Sequence, residues 1–320
     1  MNFELIKNFL NDSYIYFKED VEMKKLTSFK IGGVCKIVAY PEDISSVLKL
    51  ISYCVKNKVL YFFLGNGSNI LFCDEGFFGV AICSKKLNKI KILSNNRIYC
   101  ESGVNLALLC KFCLIHSLSG VEELYGVPGS IGGAIAMNAG AFSREIKDVV
   151  ECVLHVGLDG KVAKLKLKDL NFSYRHSRYE NGDEFILAAV LQFKKGDEKS
   201  IEEKMNYVLK KRKEKQPLNF PSAGSVFKRP KDGFAAKLIE ECGLKGLSVG
   251  DAAISKKHCG FIVNKGVATA KDVLKLIEKI KCVVEKQKGV KLEEEIKFIG
   301  WEVKKYGDGD NNRSFWVRKV

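Results

Sequence analysis

The sequence predicts an α+β chain folded into more than one compact unit. Three observations point there. The chain has 320 residues, about twice the length of a typical domain. An amphipathic helical pattern leads directly into an apolar strand, and beyond residue 80 short β-like runs alternate with turn signals.

The elements follow in order. "LTSFKIGGVCKIVAY" reads as a turn, a Gly-Gly step and a strand. From Pro41, "PEDISSVLKLISYCVKN" places Ile44, Val47, Leu48, Ile51 and Val55 on one helical face behind an acidic first turn. The strand "VLYFFL" comes next, so residues 1–79 make a βαβ-like unit that delivers the loop "GNGSNIL" at a strand's end. Residues 80–198 form a sheet-rich second unit from "IKILSN", "RIYCESG", "VVECVLHVGLDGKVAKL" and "EFILAAVLQF". They enclose one helix, "NLALLCKFCLIHSLSG", closed by Gly120. A charged amphipathic helix from Ser200 to Gln216 opens a third unit, 199–303, and "QPLNFPSAGS" breaks the pattern with two of the five prolines. This unit contains the helix "GFAAKLIEECG" stopped by Gly243. A second helix is opened by the capping box Thr269 and Asp272 and stopped by Gly289, and "HCGFIVN" and "LEEEIKFIG" read as strands. Residues 304–320 are a polar tail without a functional reading.

Composition excludes several classes. The opening segment carries Glu4 and Asp12 and does not read as a signal peptide, and no apolar run reaches the ~18 residues of a membrane span. A cytoplasmic protein is expected, with no membrane partner. Eleven cysteines are dilute, odd in number and set in apolar runs, so they read as reduced core residues. Cys110 and Cys113 have the spacing of a metal half-site but lack a second pair, so they too read as packing, and no metal is expected. The formal charge of +15 raises a nucleic-acid partner. However, the lysines are interleaved with acids along the whole chain, and "KKRKEKQ" ends a helix where basic residues suit the dipole. A solvated basic face and no nucleic acid is the reading taken.

Several motifs can carry chemistry. In "GNGSNIL" the third position of a dinucleotide fingerprint is Ile70, and no helix follows, so this is not a Rossmann loop. Gly65, Asn66, Gly67, Ser68 and Asn69 either form a hairpin turn or present successive N–H groups and side-chain donors to phosphate oxygens. The cluster "YGVPGSIGGAIAMNAGAF" favours the second alternative. Its glycines and small residues let a planar cofactor lie on the backbone, with its diphosphate on the first loop. Three polar sites remain: Arg175 in "NFSYRHSRY", suited to a carboxylate or phosphate; Ser225 in a Ser-Ala-Gly-Ser turn; and three glutamates in "KLEEEIKFIG". Strand alternation puts Glu293 and Glu295 on one face and Glu294 on the other.

Taken in order, "LTSFKIGG", "GNGSNIL", "GVPGSIGGAIAMNAGAF", "YRHS", "SAGSVFK" and "EEEIKFIG" resemble the UDP-N-acetylenolpyruvoylglucosamine reductases of peptidoglycan synthesis, over roughly residues 20 to 300. The resemblance implies a two-subdomain FAD-binding fold of the vanillyl-alcohol oxidase type followed by a substrate-binding domain. It also implies non-covalent FAD, NADPH and a cytoplasmic location; a monomer is expected. FAD contacts are implied for Gly65, Asn66, Gly67, Ser68, Asn69, Pro128, Gly129, Ser130, Gly132, Gly133, Asn138, Gly140 and Ala141, and sugar-nucleotide contacts for Lys228 and Arg229. By the same resemblance NADPH reduces FAD, and the reduced flavin gives hydride to the enolpyruvyl group. Arg175 and Glu295 polarise its carboxylate and Ser225 supplies the proton; alignment with the family pattern selects Glu295 over Glu293. The arginine motif runs directly into the charged helix, as in the shorter, second type. Two positions depart from the pattern: Arg229 stands where asparagine is common, and Ala136 where an aromatic residue is frequent. The alternatives are another flavoenzyme of the same fold, such as an oxidase, and a basic nucleic-acid-binding protein.

Overall fold

The computed structural model describes residues 3–157, 160–182, 184–231 and 233–301. The polar tail read from residue 304 lies outside the described residues.

Helix α1 (Phe3–Asp12) leads into a four-stranded sheet built from β1 (Tyr16–Glu22), β2 (Val34–Tyr40), β3 (Tyr61–Leu64) and, after the short β4 (Ile70–Phe72), β5 (Phe77–Cys83), in the order β1-β2-β5-β3. β2 and β3 both run parallel to β5, joined by α2 (Ile44–Lys56), so the βαβ unit read from the sequence is present. The Asp43 carboxylate accepts a hydrogen bond from the Ser46 N–H at 2.7 Å and starts α2. Val47, Leu50, Ile51 and Cys54 are its buried face; Val55, placed on that face by the sequence pattern, is 36% exposed. Alternation along β5 is strict. Val80 and Ile82 pack beneath α1 and α2, while Ala81 and Cys83 face the third unit, so this sheet is covered on both sides. The boundary expected after residue 79 therefore falls inside β5, whose ladders tie it to the first sheet.

The second unit is a five-stranded antiparallel sheet. Its strands are β6 (Ile90–Leu93), β7 (Arg97–Glu101), β8 (Val150–Val156), β9 (Val162–Lys166) and β10 (Phe185–Gln192), in the order β9-β8-β10-β7-β6. Helices α3 (Leu106–Ile115) and α4 (Ile131–Ala136) share its core. Asn105 caps α3, which ends at Ile115, ahead of the Gly120 stop expected from the sequence; Ser117, at φ 52°, already turns the chain away. Cys110 and Cys113 are buried in this core, as nine of the eleven cysteines are overall. Helix α5 (Glu198–Lys215) sets Ile201 and Met205 into the same core, so it belongs by packing to the second unit, although the sequence reading assigned it to the third.

The third unit has the sheet order β11-β14-β13-β12, formed by β11 (Ser222–Ser225), β12 (Ser248–Val249), β13 (Ala252–Ile254) and β14 (Phe261–Asn264), with α6 (Ala235–Glu241) and α7 (Ala270–Lys288). Its apolar side merges with the side of the first sheet that faces away from α1 and α2: Met23, Phe29, Phe62 and Phe72 share one core with Phe227, Ile262, Leu276 and Phe298. The last strand among the described residues, β15 (Lys297–Ile299), leaves its own unit and pairs in parallel with β4. This crossing brings residues 297–299 beside the first glycine loop. No helix among the described residues is long and apolar enough to cross a membrane.

Candidate active site

The two glycine clusters meet. The Ser68 hydroxyl donates to the Pro128 carbonyl at 2.8 Å, and a Cβ on Gly65 would stand 2.7 Å from Ser130 Oγ. Gly67 has φ +64°, and a Cβ there would meet the Leu26 carbonyl at 2.4 Å, so only glycine fits. Among the described residues, none of the backbone N–H groups of Gly65, Asn66, Gly67, Ser68 or Asn69 donates to a protein acceptor. Five donors in a row, on a loop with a glycine at positive φ, are the chemistry of an anion nest. Such vacant donors fit the pyrophosphate of FAD. Ser130 is the N-cap of α4, its hydroxyl accepting from the Gly133 N–H at 3.4 Å, and Pro128 and Gly133 lie exposed beside it. Gly129, Gly132, Gly140 and Ala141 line the same segment.

Asn138 lies at the inner side of the second cluster. It is fully buried, and its amide is spent on Glu145 Oε2 (3.0 Å), the Ser173 carbonyl (2.8 Å) and the Lys147 N–H (3.3 Å). With donors and acceptor all engaged, its side chain shapes the cluster from behind.

Arg175 and Glu295 form an ion pair between these clusters, with Nε 2.8 Å from Oε1. Arg175 Nη2 also donates to the Gly140 carbonyl at 3.1 Å, and the Asn69 amide donates to the Glu295 carbonyl at 3.2 Å. Each glycine cluster thus holds one member of the pair. Arg175 has φ 55°, in the left-handed region, where a non-glycine residue is uncommon and is held by its surroundings. Burial pushes the Glu295 carboxyl up from the ordinary value, with the Arg175 guanidinium pulling the other way. Ser225 ends β11 opposite Phe261, after Gly224 at φ +78°; one residue on, the Val226 carbonyl accepts from the Glu295 N–H at 2.7 Å. The serine turn is thus tied through the backbone to the segment that carries Glu295, and Glu295 and Arg175, 120 residues apart in sequence, sit between the glycine clusters.

The strand alternation expected for "LEEEIKFIG" does not hold. Regular pairing begins only at Lys297, and the glutamates flank an isolated bridge between Phe227 and Glu294. Glu293 faces solvent toward Lys228, Glu294 is ion-paired with Lys281, and Glu295 is buried. Local geometry thus separates Glu295 from Glu293.

Lys228 Nζ lies 3.8 Å from both Glu180 and Glu293. Arg229 is exposed; its N–H donates to Tyr174 Oη at 3.3 Å, and its guanidinium stands 4.5 Å from the Phe234 ring centre. Sequence reasoning missed Lys297, a buried ammonium 2.7 Å from Glu180 Oε1, which in turn pairs with His176. Burial pushes Lys297 down, opposed by Glu180. Its signal was its place two residues after Glu295 in an apolar run.

The chain is similar to proteins of a known family. Residues 35–166 match a family described as an FAD binding domain, and residues 216–299 match the C-terminal domain of UDP-N-acetylenolpyruvoylglucosamine reductase. The first unit, the second and the nest they share therefore define a flavin-dependent oxidoreductase. The chain is 45% identical to the UDP-N-acetylenolpyruvoylglucosamine reductase of Clostridium novyi (strain NT), over 89% of this chain and 92% of that one. It is 42% identical to that of Caldanaerobacter subterraneus subsp. tengcongensis, over 92% and 97%. The solved reductase from Thermus caldophilus superposes with a TM-score of 0.75 at 33% identity, covering 89% of this chain and 98% of that one. The chain belongs to the UDP-N-acetylenolpyruvoylglucosamine reductase family.

Proposed function

We propose that the protein reduces UDP-N-acetylglucosamine enolpyruvate to UDP-N-acetylmuramate, with Arg175 and Glu295 polarising the substrate carboxylate and Ser225 supplying a proton. Bound FAD, once reduced by NADPH, supplies the hydride to the terminal carbon of the enolpyruvyl group. An enol ether is electron-rich, so its carboxylate must take up charge for hydride to add. Arg175 neutralises that charge directly. Glu295 helps in its acid form, since a second bare carboxylate would repel the first; burial favours that form. The Ser225 hydroxyl is a weak acid and serves only against a strongly basic, enolate-like carbon. Gly65–Asn69 hold the pyrophosphate, the 128–141 segment the rest of the cofactor, and Lys228 and Arg229 the sugar nucleotide. The protein acts as a cytoplasmic monomer.

The observation that supports this assignment is the Arg175–Glu295 pair held between two loops fitted for one cofactor. Rapid-mixing spectroscopy of Ser225→Ala tests it. Flavin reduction by NADPH is expected to stay at the wild-type rate, while reoxidation by the enolpyruvyl substrate slows roughly 10²–10⁴-fold. Equal loss in both half-reactions would refute the role.

A further inference from the structure

Within the basic run "KKRKEKQ" one residue does not belong to the solvated face. Arg212 continues the buried stripe of α5, Ile201, Met205 and Val208, at i+4 spacing, and it is only 7% exposed, whereas Lys210, Lys213 and Lys215 on either side are exposed. Its Nε is buried without an acceptor, and among the described residues its guanidinium has no ion pair or side-chain hydrogen bond. Burial alone pushes its pKa down; no carboxylate opposes the shift. A buried guanidinium without a counter-charge is costly, and native proteins rarely leave one unanswered.

Its location says what answers it. A Cβ on Gly126 would stand 3.3 Å from Arg212 Cδ and 3.4 Å from Nε, so the missing side chain admits the guanidinium against the head of the second glycine cluster. Two residues further, the Pro128 carbonyl accepts the Ser68 hydroxyl of the pyrophosphate nest. We propose that Arg212 is an anion-binding residue of the cofactor site, whose counter-charge is a phosphate of FAD. The five donors of residues 65–69 are neutral, so a cation here supplies the charge that a pyrophosphate lacks from the loop itself. An arginine at this one position among lysines suits the forked, two-point recognition of phosphate oxygens. The sugar nucleotide is the other phosphate source, but its expected contacts, Lys228 and Arg229, belong to the third unit, whereas Arg212 packs with the second.

The inference rests on the FAD reading, and its test separates the two. Flavin-free full-length protein is titrated with FAD, with riboflavin, which has no phosphate, and with UDP-N-acetylmuramate, for wild type, Arg212→Met and Arg212→Lys. The FAD dissociation constant is expected to rise roughly 10–100-fold in Arg212→Met and by less in Arg212→Lys, with riboflavin affinity unchanged. The apo Arg212→Met protein should melt no lower than wild type, because an apolar side chain replaces an unpaired charge. Unchanged FAD affinity, an equal loss for FAD and riboflavin, or a loss confined to UDP-N-acetylmuramate would each overturn the proposal. If wild type itself binds no FAD, the cofactor reading fails instead.

Discussion

At the scale of the residue, Glu295 carries the account. Burial raises its carboxyl above the ordinary range and Arg175 restrains the rise, so the acid form persists to higher pH than in the unfolded chain. Between the two pKa values the unfolded state has released its proton and the folded state has kept it. Stability contributed here therefore falls as pH rises through that window. Activity follows the same sign: reoxidation by substrate should decline on the alkaline side as the acid form is lost. Glu295→Gln keeps an acceptor for Arg175 Nε, so it should retain the fold, slow reoxidation by about 10²-fold or more, and abolish that alkaline limb. A variant profile that still shows the limb assigns it to another group. Arg175, Ser225 and Glu295 were all visible in the sequence, but only as residue types in motifs. The Asn138 amide is held by Glu145, Lys147 and Ser173, partners that its motif does not announce. Arg212 looked like a surface charge because the lysines around it are one.

At the scale of the element, the docking of the third unit depends on a cap supplied from the first. Asp74, in the turn between β4 and β5, accepts from the N–H groups of Ala270 and Lys271 at 2.8 and 3.0 Å, beside the Thr269–Asp272 capping box of α7 itself. Both carboxylates satisfy donors that a helix start leaves open. Asp74→Ala should cost about 1–2 kcal/mol in urea unfolding; no change would mean that solvent replaces the cap without loss. The capping box and the Gly289 stop were read directly from the sequence, since both are local chemistry. The Asp74 cap was not, because it joins residues 196 positions apart. The same limit explains α5: its periodicity announced a helix, and only packing decided which core it serves. Regular alternation failed in "LEEEIKFIG" because the segment is held by a single bridge before β15 begins.

At the scale of the whole molecule, the proposed site draws on all three units. The first brings the N–H nest, the second Arg175 and the small-residue cluster, and the third Ser225 and Glu295. The parallel pairing of β15 with β4, with the Lys297 N–H bonded to the Asn69 carbonyl at 2.9 Å, locks the last to the first. The sequence motifs named these parts in order, but periodicity and spacing say nothing of how distant parts meet. In the proposed reaction one flavin passes electrons from NADPH to an enolpyruvyl sugar nucleotide at this junction. The visible absorbance spectrum of the purified protein under anaerobic conditions tests it most directly. Flavin bands should bleach on adding NADPH and return on adding UDP-N-acetylglucosamine enolpyruvate. Bands that never form, or that return with oxygen alone and not with the sugar nucleotide, would contradict it.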